Sequence, residues 1–256
     1  MTGGERTALV TGGSRGVGRA IVRRLAADGH LVIFSFRNDR AAADELVAEV
    51  AEAGGRSRAL PADLREPGAA EALATEALAS AGVITVAVSN AGMASRGLSV
   101  PETPYAEYLS FLQLNSIVIA ELARVLLPGM RAAGQGSIVA VTSTLARTCP
   151  PLTGPYAASK AAAEALVRVL AMEERRHGVR VNSVAPGLVA TDMGDRLVSS
   201  GRVNERASEL DASAPLGRVC RPEDVADAVA YLAAPNSYVT GHRLVVDGGG
   251  PAVAIY

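Results

Sequence analysis

Short β-branched and apolar runs alternate along the chain with longer Ala-, Leu-, Glu- and Arg-rich stretches of helical character. The runs predict strands over Ala8–Thr11, Leu31–Ser35, Ser57–Ala62, Val83–Ser89, Ser137–Ser143, Arg180–Ala185 and Arg243–Val246. The stretches between them predict helices near 16–28, 40–53, 67–81, 104–128, 156–177 and 222–234, with a shorter one near 194–210. Strand–helix alternation with largely apolar strands points to a parallel sheet covered on both faces. Right-handed crossovers then make the fold doubly wound and place ligands at the carboxyl ends of the strands.

Local chemistry marks several boundaries. Gly54-Gly55 can take the left-handed conformation that ends a helix. Pro222 followed by Glu223 and Asp224 suits a first helical turn, as does Pro104 before Tyr105. No internal repeat, low-complexity block or long linker interrupts the pattern, so residues 1–256 are expected to form one domain. The segment of about 190–215 looks less regular than its surroundings.

Composition narrows the partners. The chain is 49% hydrophobic but only 4% aromatic, with no Trp, so small aliphatic side chains must build the core. A formal net charge of −1 gives no reason to expect nucleic acid or an anionic membrane as partner. Cys149 and Cys220 form no disulfide framework or metal-ligand pattern, which suits a reducing cytoplasm. His30, His177 and His242 are scattered without ligand spacing, so no metal is expected. Cys149 falls between Ser143 and Tyr156 but has no paired base, and is taken as a bystander. A strand begins almost at the first residue, leaving no room for a signal peptide. No uninterrupted apolar run reaches the ~18 residues of a membrane span.

The first chemical signal is Thr11-Gly12-Gly13-Ser14-Arg15-Gly16-Val17-Gly18, directly after the first strand. Glycines at 12, 16 and 18 permit a tight turn and close backbone approach to a pyrophosphate at a helix N-terminus. This defines an α/β fold with a Rossmann-type doubly wound parallel seven-stranded sheet and helices on both faces. The second strand ends Ser35-Phe36-Arg37-Asn38, with no carboxylate until Asp39. Arg15 and Arg37 could therefore hold a ribose 2′-phosphate, which favours NADP(H) over NAD(H).

The second signal is Tyr156-Ala-Ala-Ser-Lys160. Residues four apart share a helical face, and a cation near a phenol stabilises the phenolate and eases proton exchange. Ser143 ends the preceding strand, thirteen residues earlier. Asn115 lies inside the helical segment 104–128, where its propensity is poor and its neighbours Leu114 and Ile117 are apolar. A specific hydrogen-bonding task is the natural reading.

With these pieces in order, the chain resembles a short-chain dehydrogenase/reductase over essentially its whole length. The matching residues are Thr11–Gly18, Asp63, Asn90-Ala91-Gly92, Asn115, Ser143, Tyr156 with Lys160, Pro186-Gly187, Thr191 and the closing Asp247-Gly248-Gly249. The resemblance implies that Tyr156 is the general acid in ketone reduction and the base in reverse, and that Ser143 positions the substrate oxygen. It implies that Lys160 binds the nicotinamide ribose, and that Asn115 holds a water linking Lys160 to solvent. Asp63 and Leu64 are implied to contact the adenine, Asn90, Ala91 and Gly92 the ribose region, and Thr191 the carboxamide. Two positions depart from the family pattern: Ser89 and Thr85 stand where an asparagine and an aspartate are common.

The closest family likeness is to β-ketoacyl-carrier-protein reductases, so a β-ketoacyl thioester or related polyketide-like ketone is the expected substrate. A carrier-bound substrate calls for a basic patch, to which Arg124, Arg131, Arg168 and Arg175 could contribute. The alternatives are a free small-molecule ketone or secondary alcohol, a non-catalytic NADP(H) sensor, or a sugar-nucleotide epimerase. The segment of about 190–215, with Gly194, Ser199, Ser200 and Gly201, occupies the substrate-loop position and suggests a closing lid. The resemblance also implies a homotetramer (or homodimer) built through the long helices and the last strand.

Overall fold

The computed structural model describes residues 6–94, 97–199, 206–214 and 216–250. Seven parallel strands, β1 Thr7–Val10, β2 Leu31–Phe36, β3 Arg56–Pro61, β4 Val86–Ser89, β5 Gly136–Val141, β6 Val179–Pro186 and β7 Arg243–Val246, form one sheet ordered β3-β2-β1-β4-β5-β6-β7. The order reverses between β1 and β4, which opens a crevice beyond their carboxyl ends. Strand β1 pairs Leu9 with Ile33 of β2 and with Ala87 of β4.

Both faces of the sheet are apolar because each is roofed by helices. Helices α1 Gly16–Ala27 and α2 Arg40–Glu52 share one core with Val10, Val32 and Phe34. Helix α3 Ala69–Ala81 packs on the opposite face with Leu9, Ile33 and Ile138. The predicted helix near 104–128 is three pieces: α4 Tyr105–Leu112, a π-helical turn Gln113–Ile117, and α5 Val118–Ala132. This run is long and apolar enough, by length and composition, to cross a membrane. It is a core helix, however, carrying the buried polar residues Asn115 and Glu121. The Glu121 carboxylate accepts from the Gly68 and Ala70 amides at the start of α3 (2.9 and 3.1 Å) and from Gln113 Nε2 (2.9 Å). One buried acid thereby caps a distant helix and braces the π-turn.

Other differences are local. A short helix, α6 Leu145–Thr148, follows β5, and α7 Gly154–Glu174 begins two residues before Tyr156. Strand β4 starts at Val86, three residues later than its sequence suggests. The helix expected near 194–210 is instead α8 Asp192–Ser199 and a 3-10 turn Ala207–Ser213. Ser200 and Gly201 of the expected lid lie outside the described residues. Helix α9 Pro222–Ala233 starts on its proline and docks against α1.

Phe34 is fully buried against the glycine turn, where a Cβ on Gly13 would lie 2.6 Å from its own Cβ. Phe34→Ala should cost about 3–5 kcal/mol in denaturant unfolding; a loss below about 1 kcal/mol would mean that this wall of the core collapses freely.

Candidate active site

The glycine turn between β1 and α1 is held open by its neighbours. The Gly12 amide donates to Ser35 Oγ (3.0 Å), and Asn90 Nδ2 donates to the Thr11 and Gly12 carbonyls (3.0 and 3.1 Å). The Thr11 hydroxyl accepts from the Asn90 and Ala91 amides (2.9 and 3.0 Å). Close approach explains the glycines: a Cβ on Gly18 would lie 2.1 Å from the Gly12 carbonyl oxygen. Gly12 and Gly16 take φ of 64° and 53°, the left-handed region that suits glycine. No side chain caps α1 and its first turn carries no acid, so its amides face the crevice unscreened. By contrast, α2 is capped by Asp39, which accepts from the Ala42 amide (3.0 Å). A glycine cradle at an uncapped helix start fits a dinucleotide pyrophosphate.

The second half of the site is built around Lys160. Lys160 is 4% exposed, and its ammonium donates to the Val141 carbonyl at the end of β5 (2.8 Å). Burial pulls its pKa down from 10.5 to about 8. Tyr156, one helical turn earlier, is buried with its ring centroid 5.9 Å from Lys160 Nζ and edge-to-face against Phe111 at 6.3 Å. Ser143 follows β5, and its Oγ accepts from the Leu145 amide (3.1 Å), which leaves its own O–H to donate elsewhere.

Asn115 sits in the π-turn, where an extra residue redirects the helix face. Asn115 Nδ2 donates to Ser159 Oγ (2.9 Å) and Ser116 Oγ donates to the Ser159 carbonyl (2.6 Å), so the π-turn is stitched to α7. Asn115 Oδ1 is buried with no hydrogen-bond partner among the described residues. A Cβ on Gly92 would lie 3.1 Å from Asn115 Oδ1 and 3.6 Å from Lys160 Nζ, so these groups approach one spot that a side chain at 92 would crowd. An unsatisfied buried acceptor beside an ammonium is a place for a bound water or a ligand hydroxyl.

These pieces line one cleft of about 1380 Å³ at the carboxyl end of the sheet. The expected residues Ser14, Arg15, Val17, Arg37, Asp63, Leu64, Pro186, Gly187 and Thr191 also line it. Asn115 alone sits outside the lining. Leu64 is 3% exposed and belongs chiefly to the core. The Asp63 carboxyl is held at about 2, first by its hydrogen bond from Arg65. Thr191 Oγ1 accepts from the Gly194 amide (3.1 Å) and so braces α8, beside Gly16. Of the four arginines proposed as a docking patch, Arg131 lies in the last turn of α5 and Arg175 just past the end of α7. At ~1.5 Å per residue, Arg175 is roughly 28 Å along the axis from Tyr156. Arg124 and Arg131 are also paired with Glu71 and Glu174.

Sequence reasoning passed over several contributors. Ser35 and Thr11 organise the glycine turn, Ser159 holds Asn115, and Arg65 lies over Asp63. Glu164, one turn beyond Lys160, is buried and paired with Arg147 and Arg243. Only its spacing from Tyr156 and Lys160 hinted at a place on the site-facing side of α7.

The chain is similar to known proteins over nearly its whole length. A family model described as enoyl-(acyl carrier protein) reductase matches residues 12–250. The cis-4-hydroxycyclohexanecarboxylate dehydrogenase of Sinomonas cyclohexanicum is 35% identical over 250 residues, covering 97% of this chain and 98% of that one. The 3beta-hydroxysteroid dehydrogenase 1 of Eggerthella lenta is 35% identical over 246 residues, covering 95% and 93%. The crystal structure of a blue fluorescent protein from a metagenomic library, in complex with NADPH, superposes with a TM-score of 0.84 at 36% identity, covering 95% and 97%. The chain belongs to the short-chain dehydrogenase/reductase family. It is accordingly a nicotinamide-nucleotide oxidoreductase acting on CH–OH and C=O groups.

The low Lys160 value has a consequence for stability. An unfolded lysine keeps its proton to about 10.4, whereas folded Lys160 releases it near 8. Between those values the unfolded chain binds more protons, so folding is favoured as pH rises. Relative to Lys160→Met, wild-type stability should therefore climb between about pH 8 and 10, by up to about 1.4 kcal/mol per pH unit. Urea unfolding of both proteins across that window checks this; parallel curves would mean that Lys160 titrates normally.

Proposed function

We propose that the protein reduces a ketone on a free small molecule with NADPH, Tyr156 delivering the proton. The observation that carries this reading is that Tyr156, Lys160 and Ser143, all buried, line the same cleft as the glycine cradle. The Ser143 O–H is free to hold the substrate oxygen, and the phenol of Tyr156 protonates that oxygen as charge develops on it. Lys160 spends one of its three N–H groups on the Val141 carbonyl and keeps two for the ribose and the phenol side of the cleft. Asn115 Oδ1 is placed to hold the water through which Lys160 exchanges protons with solvent. When bound, the cofactor supplies the hydride; the protein orients the carbonyl and excludes competing reactions.

Charge supports NADPH over NADH. Arg15 and Arg37 are exposed on the rim of the adenosine end, and neither guanidinium is hydrogen-bonded or ion-paired to another described residue. The nearest carboxylate after β2, Asp39, is committed to capping α2. A 2′-phosphate thus meets two exposed guanidinium groups, while Asp63, whose charge Arg37 also feels, is bound chiefly by Arg65. The free-ketone alternative is favoured over a carrier-bound thioester because two of the arginines expected to dock a carrier, Arg131 and Arg175, sit at the far ends of α5 and α7. The two relatives above are named for dehydrogenation of cyclic secondary alcohols, the reverse of this chemistry. Exposed Val169 and Met172 on α7 support self-association as a homotetramer, and two free cysteines suit a cytoplasmic protein.

The test is NADPH consumption with a panel of cyclic and linear free ketones beside β-ketoacyl thioesters. Free ketones should be turned over, and Tyr156→Phe should cost about 10²–10⁴ in rate. Exclusive use of carrier-bound thioesters would overturn the substrate reading. Arg15→Ala with Arg37→Ala should raise KM for NADPH at least about tenfold while leaving that for NADH nearly unchanged; equal losses with both cofactors would refute the phosphate assignment.

A further inference from the structure

The Glu164 carboxylate is a buried charge that the mechanism above does not use. Its side chain is 5% exposed, on the same face of α7 as Tyr156 and Lys160, one turn further on. Oε1 accepts from Arg243 Nε at 2.5 Å and from Thr142 Oγ1 at 3.4 Å, and Oε2 accepts from Arg147 Nε at 3.3 Å. Arg243 is itself largely buried, 14% exposed, and its second arm, Nη2, donates to the Ser143 carbonyl at 3.2 Å. One guanidinium therefore bridges a fixed acid on α7 and the backbone of the residue whose hydroxyl faces the substrate.

Taking two charges out of water is costly, and apolar residues of similar size often serve stability as well or better. Stability alone thus gives a weak reason for this pair. The carbonyls of Val141 and Ser143 are gripped by Lys160 and Arg243 respectively, and both cations hang on elements outside β5. We infer that Arg243, locked by Glu164, is a positioning residue that fixes Ser143 against Tyr156. The inference rests on the ketone-reduction reading above. Arg147, 59% exposed, can be solvated without Glu164, so its contribution is secondary.

Two arms test it. In the kinetic arm, Glu164→Leu with Arg243→Met removes both charges together, avoiding a stranded ion. The double variant should keep near-native stability and NADPH affinity yet lose about 10–100-fold in kcat, as misplacement of a substrate-holding group does. Adding Glu164→Leu with Arg243→Met to Ser143→Ala should cause little further loss, because the arginine acts through the serine. Native kcat in a stably folded double variant, or fully additive losses with Ser143→Ala, would overturn the assignment. The second arm needs no turnover. The Leu145 amide, which donates to Ser143 Oγ, should exchange hydrogen at least about tenfold faster in the double variant, while amides of α1 stay unchanged. Unchanged exchange at Leu145 would equally overturn it. If wild-type protein reduced no ketone, the functional reading would fail, and the exchange arm would still decide the positioning role.

Discussion

The site depends on one buried contact, the ammonium of Lys160 against the carbonyl of Val141. A lysine 4% exposed to solvent is tolerable only if its ammonium protons find acceptors, and the end of β5 provides the first of them. That contact pins the first turns of α7 to the sheet. Tyr156 is then held one turn away, Asn115 is reached through Ser159, and Gly92 keeps the space between them uncrowded. The fold supplies the strand end and the helix start; the burial of one charge fixes how they meet.

A second constraint is the reversal of strand order between β1 and β4. It separates the helices that follow these strands and leaves the glycine turn facing an open crevice. Asn90, just past β4, ties that turn back across the gap. The dinucleotide half and the proton-transfer half of the site are thus carried by adjacent strands, β1, β4 and β5, all ending at one edge.

Much of this was legible in the sequence. The strands β2 and β5 are largely apolar runs with clear flanks, and the glycine turn and Tyr156/Lys160 spacing are local patterns with local causes. Asn115 was legible as an anomaly, a polar residue in an apolar helical stretch, but the π-turn was not. It arises from ties to Ser159 on α7 and from Glu121 gripping Gln113, neither of which a propensity can register. The break between α8 and the 3-10 turn escaped for a similar reason, since Asp195 reaches the Ala207 amide (2.8 Å) across a weakly patterned stretch. Least legible was the Arg243–Glu164 pair, joined across 79 residues of sequence. Its members are individually ordinary charges on a strand and a helix, and only the assembled layers bring them behind Ser143.

The central claim is that this cleft transfers a hydride from the nicotinamide to a carbonyl carbon and a proton from Tyr156 to its oxygen. The most direct measurement supplies NADPH carrying deuterium at the transferable position, with a cyclic ketone, and follows the isotope by mass spectrometry. The account predicts an alcohol with one deuterium on the carbinol carbon, formed by wild type and almost absent with Tyr156→Phe. Oxidation of the cofactor without deuterated alcohol, or deuterated alcohol formed equally well without the phenol, would contradict it.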